Sequence, residues 1–109
     1  MTGEQVKLLH RMKELIKEGK CRFSSRKDRN YLQELLDIGI NVNDAWKEIL
    51  SLNKNYYFID PKPSYSKKDE NSLTFKKLIN GNVVYIKIRL ELRNNNEETV
   101  CLSFHIDFK

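Results

Sequence analysis

The chain has 109 residues, 39% of them hydrophobic and 32% charged, and a net charge of +5. That length specifies a single domain over 1–109 with a modest core, and no apolar run approaches the roughly 20 residues that span a bilayer. The opening Met1-Thr2-Gly3-Glu4-Gln5 lacks the charged-then-apolar layout of a secretory leader, and Cys21 and Cys101 make no CxxC motif, so the expected setting is the reducing cytoplasm.

A first helix is expected from about Glu4 to Glu18. Val6, Leu8, Leu9, Met12, Leu15 and Ile16 recur there at helical spacing, and Gly19 stops it. Lys7, Arg11, Lys13 and Lys17 take its other faces, but Glu4, Glu14 and Glu18 dilute a membrane-surface reading, so this helix packs on the core. His10 has no Cys, His or Asp at ligand spacing. Lys20–Phe23 is a short extended piece. Ser24-Ser25 caps a second helix, roughly Arg26 to Asp37, with Tyr31, Leu32, Leu35 and Leu36 on one side and Gly39 at its end. Asn41 or Asn43 caps a third helix, Asp44 to Ser51, which buries Ala45, Trp46, Ile49 and Leu50.

After Leu52 the pattern changes to strands. Asn55–Asp60 reads as one, ended by Pro61 and Pro63; Lys62–Asn71 is a lysine-rich loop. Ser72–Ile79 is the next strand, and Asn80-Gly81-Asn82 is a strong hairpin signal. Val83–Leu92 and Thr99–Phe108 follow, joined by a second hairpin loop over Arg93–Glu98. The expected fold class is α+β: three N-terminal helices packed on one face of a C-terminal antiparallel sheet of about four strands.

The last two strands alternate with period two. Val84, Ile86, Ile88, Leu90 and Leu92 form one apolar row, and Val100, Leu102, Phe104, Ile106 and Phe108 another. The other face then carries Lys76 on one strand, Tyr85, Lys87 and Arg89 on the next, and Cys101, Ser103, His105 and Asp107 on the last. Lys77 falls on the apolar side near an end and must reach outward along its stem. Residues 62–89 hold seven Lys/Arg (Lys62, Lys67, Lys68, Lys76, Lys77, Lys87, Arg89) against Asp69 and Glu70. An excess of five positive charges there points to an anionic partner, nucleic acid first. A face with a phenol, cations and an imidazole can bind phosphate and move protons.

Other chemistry fits less well. There is no glycine-rich phosphate loop, no HExxH and no Cys/His cluster, so neither metal nor cofactor is expected. Asp107 and Glu91 are the only acids on the polar face. Ser103 and His105 point the same way, but their Cβ atoms are roughly 7 Å apart and no nucleophile elbow is present.

Two stretches carry a family resemblance: Asn80-Gly81-Asn82-Val83-Val84-Tyr85-Ile86-Lys87-Ile88 and Val100-Cys101-Leu102-Ser103-Phe104-His105. With the first helix, Ile38-Gly39-Ile40, Ile49-Leu50-Ser51-Leu52 and the aromatic Asn55-Tyr56-Tyr57, they resemble the MqsR family of bacterial toxins over most of the chain. The resemblance implies a RelE-like fold, cleavage of mRNA without metal, and inhibition by a cognate antitoxin protein, which allows a homo-oligomer or a hetero-oligomer with that antitoxin. It matches Tyr85 to the family's catalytic tyrosine and Lys87 to the lysine two positions on. His105 stands for the lysine of a terminal Ser-Phe-Lys, and Lys76 for a glutamine after an aromatic. A further family lysine falls on Phe58, with Lys62 as a substitute a few residues on.

The reading that follows is a metal-independent endoribonuclease, the toxin of a toxin–antitoxin pair. The RNA 2′-hydroxyl attacks the adjacent phosphate, giving a 2′,3′-cyclic phosphate and a 5′-hydroxyl. His105 is the natural acid or base, with Tyr85 as its partner or as a phosphate-positioning group, and Lys76, Lys87 and Arg89 oppose charge building on the phosphorane. Lys62, Lys67, Lys68 and Tyr56 extend the RNA-binding surface. Two alternatives use the same face: a non-catalytic nucleic-acid-binding domain, for which Tyr56, Phe58 and Tyr65 are stacking candidates, and a protein-interaction module.

Overall fold

The computed structural model describes residues 1–25, 29–59 and 71–107. Lys62, Tyr65, Lys67 and Lys68 lie outside the described residues. The elements are α1 (Gly3–Lys17), β1 (Cys21–Phe23), α2 (Tyr31–Ile38), α3 (Val42–Leu50), β2 (Ser72–Ile79), β3 (Asn82–Arg93) and β4 (Asn96–Ile106). The fold class is α+β, with a four-stranded mixed sheet of order β1-β4-β3-β2.

The helices begin where side chains can satisfy the first free N–H groups. Thr2 and Gln5 form a reciprocal capping box on α1, with bonds of 3.2 and 2.9 Å. The carbonyl of the Asn30 side chain accepts from the N–H groups of Leu32 and Gln33, so α2 starts at Tyr31 and not near Arg26. Ser24 does not cap it: its N–H instead donates to the Cys101 carbonyl at 2.9 Å, prolonging the β1–β4 pairing. Asn41 caps α3, and Asp44 returns the bond to Asn41. On α2, Leu35 and Ile38 are buried while Leu32 and Leu36 face solvent, so its buried stripe is narrower than the four-residue face expected from its spacing.

The fourth strand is Cys21–Phe23, which runs parallel to β4; of the expected strand Asn55–Asp60, Asp60 lies outside the described residues and Asn55–Ile59 forms no strand of the sheet. The sheet is therefore mixed and not wholly antiparallel. Asn53 accepts from the Asn55 N–H and closes a 3₁₀ turn over Lys54–Tyr56. After that turn Tyr57 makes a single bridge to Phe75, and the Phe58 N–H donates to the Thr74 carbonyl at 2.9 Å.

Both hairpins close with two residues at positive φ: Asn80 (50°) and Gly81 (81°), then Asn94 (51°) and Asn95 (65°). Such turns match the twist of the flanking strands, and asparagine tolerates the left-handed region better than most residues. The second loop is thus two residues long, shorter than the Arg93–Glu98 span expected.

A β-bulge lies in β4. Lys87 pairs with Ser103, but Ile88 pairs with Cys101, which leaves Leu102 without a partner. One extra residue reverses side-chain alternation. Phe104 keeps the apolar side with Val84 and Ile86, whereas Cys101 and Thr99 turn to that side and Val100 turns away, opposite Arg89. Cys101 belongs to the buried cluster formed with Leu9, Met12, Ile16, Leu35, Ile38, Ala45, Ile49, Phe75, Val84, Ile86, Ile88 and Phe104. The fully buried Thr99 hydroxyl donates to the Met12 carbonyl of α1 at 2.9 Å. The expectation that Cys101 shares the polar face with Ser103 and His105 is corrected by this bulge.

Trp46 packs at the margin of the cluster, 4.9 Å from Phe23, which stacks on Tyr31 at 4.8 Å.

Candidate functional site

The hairpin turns fix which polar side chains meet. In register, Lys76 of β2 lies opposite Tyr85 of β3, and Tyr85 lies opposite His105 of β4. The next row along the strands is Thr74, Lys87 and Ser103. Alternation puts both rows on the face away from Val84, Ile86 and Ile88. The sequence-derived residues Lys76, Tyr85, Lys87 and His105 are brought together.

The Tyr85 and His105 rings stack, with centroids 5.3 Å apart and planes 23° apart. His105 Nδ1 is 2.9 Å from the Ile106 carbonyl oxygen. A carbonyl only accepts, so this contact assigns the Nδ1 position to a proton. In the neutral ring Nε2 then keeps a lone pair and can take a proton; in the charged ring it can give one.

Lys76 is held from two directions. Its Nζ is 2.8 Å from Asp107 Oδ2 and 3.9 Å from the centre of the Phe58 ring. Both charged side chains are largely covered, at 19% and 17% exposure, where an ion pair is screened less than at the open surface. The Asp107 N–H donates to the Val83 carbonyl at 2.8 Å, carrying the β3–β4 pairing past His105. The Phe58 ring faces the Lys76 ammonium as a cation–π partner. Sequence reasoning missed this role, because no local pattern near residue 58 points to residue 76.

Lys77 reaches outward from the apolar side, as expected. Its Nζ is 2.7 Å from Glu48 Oε2 and 2.6 Å from Ser51 Oγ at the end of α3, and 5.2 Å from the Tyr56 ring centre. Tyr56, expected to bind RNA, packs against the buried cluster beside Lys77 and not on the polar face.

Arg89 lies one row beyond Lys87 and is ion-paired. Its Nη2 donates to Glu91 Oε1. Glu91 Oε2 accepts from Arg22 Nη2 at 2.8 Å, and Arg22 Nε donates to Glu98 Oε1 at 2.8 Å. The Glu98 hydrogen bond, with smaller contributions from both carboxylates, raises the Arg22 pKa above its ordinary value. The sequence places Glu91 on the polar face but points to no partner for it, and it does not single out Arg22 or Glu98. A two-residue turn at Asn94-Asn95 places Glu91 opposite Glu98, and two facing carboxylates call for a cation between them.

Among the described residues, no three His, Cys, Asp or Glu side chains come together as a metal-ligand set, and no helix is long and apolar enough to cross a membrane. No family model, curated protein or solved structure matches this chain.

Proposed function

We propose that this chain is a metal-independent endoribonuclease with a RelE-like fold, the cytoplasmic toxin of a bacterial toxin–antitoxin pair, cleaving mRNA and neutralised by a cognate antitoxin protein. The observation that supports this reading is the row Lys76, Tyr85 and His105, with Lys87 directly behind it. Transesterification of RNA needs a base, an acid and cations, and an imidazole against a phenol flanked by ammonium groups can supply all three.

In this reading the neutral His105 accepts the 2′-hydroxyl proton at Nε2. The 2′-oxygen bonds to phosphorus and the 5′-oxygen leaves, taking a proton from the Tyr85 hydroxyl. Lys76 and Lys87 face the charge that builds on the non-bridging oxygens. The products are a 2′,3′-cyclic phosphate and a 5′-hydroxyl. Asp107 and Phe58 hold Lys76 in place, so this ammonium costs little reorganisation during the reaction.

A second reading is a non-catalytic RNA-binding domain. It draws on the carboxylates that already accompany Lys76, Arg22 and Arg89. Incubation of the purified protein with RNA in EDTA separates the two. Cleavage that stops when the scissile nucleotide is 2′-deoxy supports the nuclease; binding without cleavage supports the second reading. Expression alone is expected to arrest growth, with relief by co-expressed antitoxin, and harmless high-level expression would count against a toxin.

A further inference from the structure

We propose that Glu91 limits RNA binding by holding Arg89, so that the face grips RNA less tightly than its sequence charge allows. This inference rests on the reading of the polar face as an RNA-binding surface.

Three observations carry it. Arg89 is two residues along β3 from Lys87, and alternation keeps it on the same face. Its distance from Tyr85 is roughly 14 Å along the strand, so it would meet a phosphate beyond the one being cleaved. Glu91 is bonded through one oxygen to Arg89 and through the other to Arg22. The Arg89 and Glu91 side chains are 21% and 23% exposed, and a pair at that depth is screened less than a surface pair. Arg22 also holds Glu98.

Among the described residues the charges of the cluster consequently balance: two guanidiniums against two carboxylates. A phosphate approaching Arg89 must displace Glu91 and meet its negative charge. Glu91→Gln removes the negative charge, leaves only a neutral amide for a phosphate to displace, and keeps Arg22 bonded to Glu98. The Arg89 fork is then available for a phosphate, the geometry a guanidinium suits best.

The test measures affinity for a 2′-O-methylated RNA oligonucleotide, which cannot undergo 2′-hydroxyl attack, across a salt series. The proteins are the wild type, Glu91→Gln, Arg89→Gln and the double variant. Glu91→Gln is expected to bind about tenfold more tightly at low salt, the lower end for a hydrogen bond to a charged group. Its log–log salt slope should steepen by about 0.7, one added phosphate contact on a single strand. The gain should require Arg89, so the double variant should bind no more tightly than Arg89→Gln alone.

An unchanged slope in Glu91→Gln overturns the inference. So does a double variant that keeps the gain, because the effect would then be general charge and not Arg89. If Glu91→Gln does not fold by circular dichroism, Glu91→Ala replaces it: the same steeper slope supports the inference, and an unchanged slope overturns it. Absence of binding in all four proteins removes the functional reading, and this inference with it. Wild-type binding and cleavage with no response to Glu91→Gln removes this inference alone.

Discussion

Replacing Cys101 by aspartate tests the bulge that sets the faces of β4. Cys101 is 1% exposed, opposite Ile88 in register and inside the cluster with Met12, Leu35 and Phe104. A carboxyl group in such surroundings has its pKa raised by about 3–5 units. At pH 7 the cost is about 4 kcal/mol, set by the roughly three pH units above an unfolded pKa near 4, because a folded carboxyl with a higher pKa stays protonated; that compares with about 5–15 kcal/mol for a domain of this kind. With an m-value of about 1–1.5 kcal/mol/M in urea, the midpoint should fall by several molar or the fold should be lost. The folded carboxyl pKa is raised, so the destabilisation should ease as pH falls towards the unfolded value near 4. Ser103→Asp is the control: Ser103 is half-buried, opposite Lys87, and its replacement should cost less than about 1 kcal/mol. Urea unfolding followed by Trp46 fluorescence at about pH 7 and pH 5 measures both. If Cys101→Asp matched the wild type while Ser103→Asp unfolded, β4 would carry its side chains the other way round, and the reasoning would fail.

Burial also pushes the Cys101 thiol pKa up. Above about pH 8.5 the unfolded thiol ionises while the folded one stays protonated. The unfolded state then binds fewer protons, and stability should fall by about 1.4 kcal/mol per pH unit until the folded thiol ionises too. Urea midpoints at about pH 8 and pH 10 should show a steeper loss for the wild type than for Cys101→Ala. Lys77→Met should cost about 2 kcal/mol, between the exposed and buried limits for an ion pair, because it strips Glu48 of its cation; a thermal-unfolding comparison reads this. Lys87→Ala should flatten the salt dependence of RNA binding by about 0.7, as measured by fluorescence anisotropy, and an unchanged slope would place the RNA elsewhere.

The candidate row was legible in the sequence because short-range signals specify it. Asn80-Gly81 sets the β2–β3 register, and the period-two pattern of Val84, Ile86 and Ile88 leaves Tyr85 and Lys87 on the other face. β4 was harder. A two-residue turn at Asn94-Asn95 pairs even-numbered with odd-numbered residues, Ile88 with Cys101, whereas Tyr85 must pair with His105. Both hold only if one residue of β4 is extra. The stretch Val100-Cys101-Leu102 is apolar throughout, so hydrophobicity does not say where the extra residue sits. The sequence of Cys21–Phe23 shows only an extended piece, since three residues carry no periodicity and the parallel partner is far along the chain. Tyr56-Tyr57-Phe58 looked like a strand by composition, but Asn53 captures the Asn55 N–H and turns the chain first. Ion pairs such as Lys76–Asp107 and Arg22–Glu98 join distant segments, so they emerge only with the register.

The central claim is that the Lys76, Tyr85 and His105 row cleaves RNA through its 2′-hydroxyl. The most direct measurement is single-turnover cleavage of a defined RNA in EDTA by the wild type and by folded His105→Ala, with chemical identification of the new ends. The account predicts a 2′,3′-cyclic phosphate and a 5′-hydroxyl, and a rate lower by roughly 10²–10⁴ for His105→Ala. Undiminished cleavage by folded His105→Ala, or a wild type that leaves the RNA intact, would contradict it.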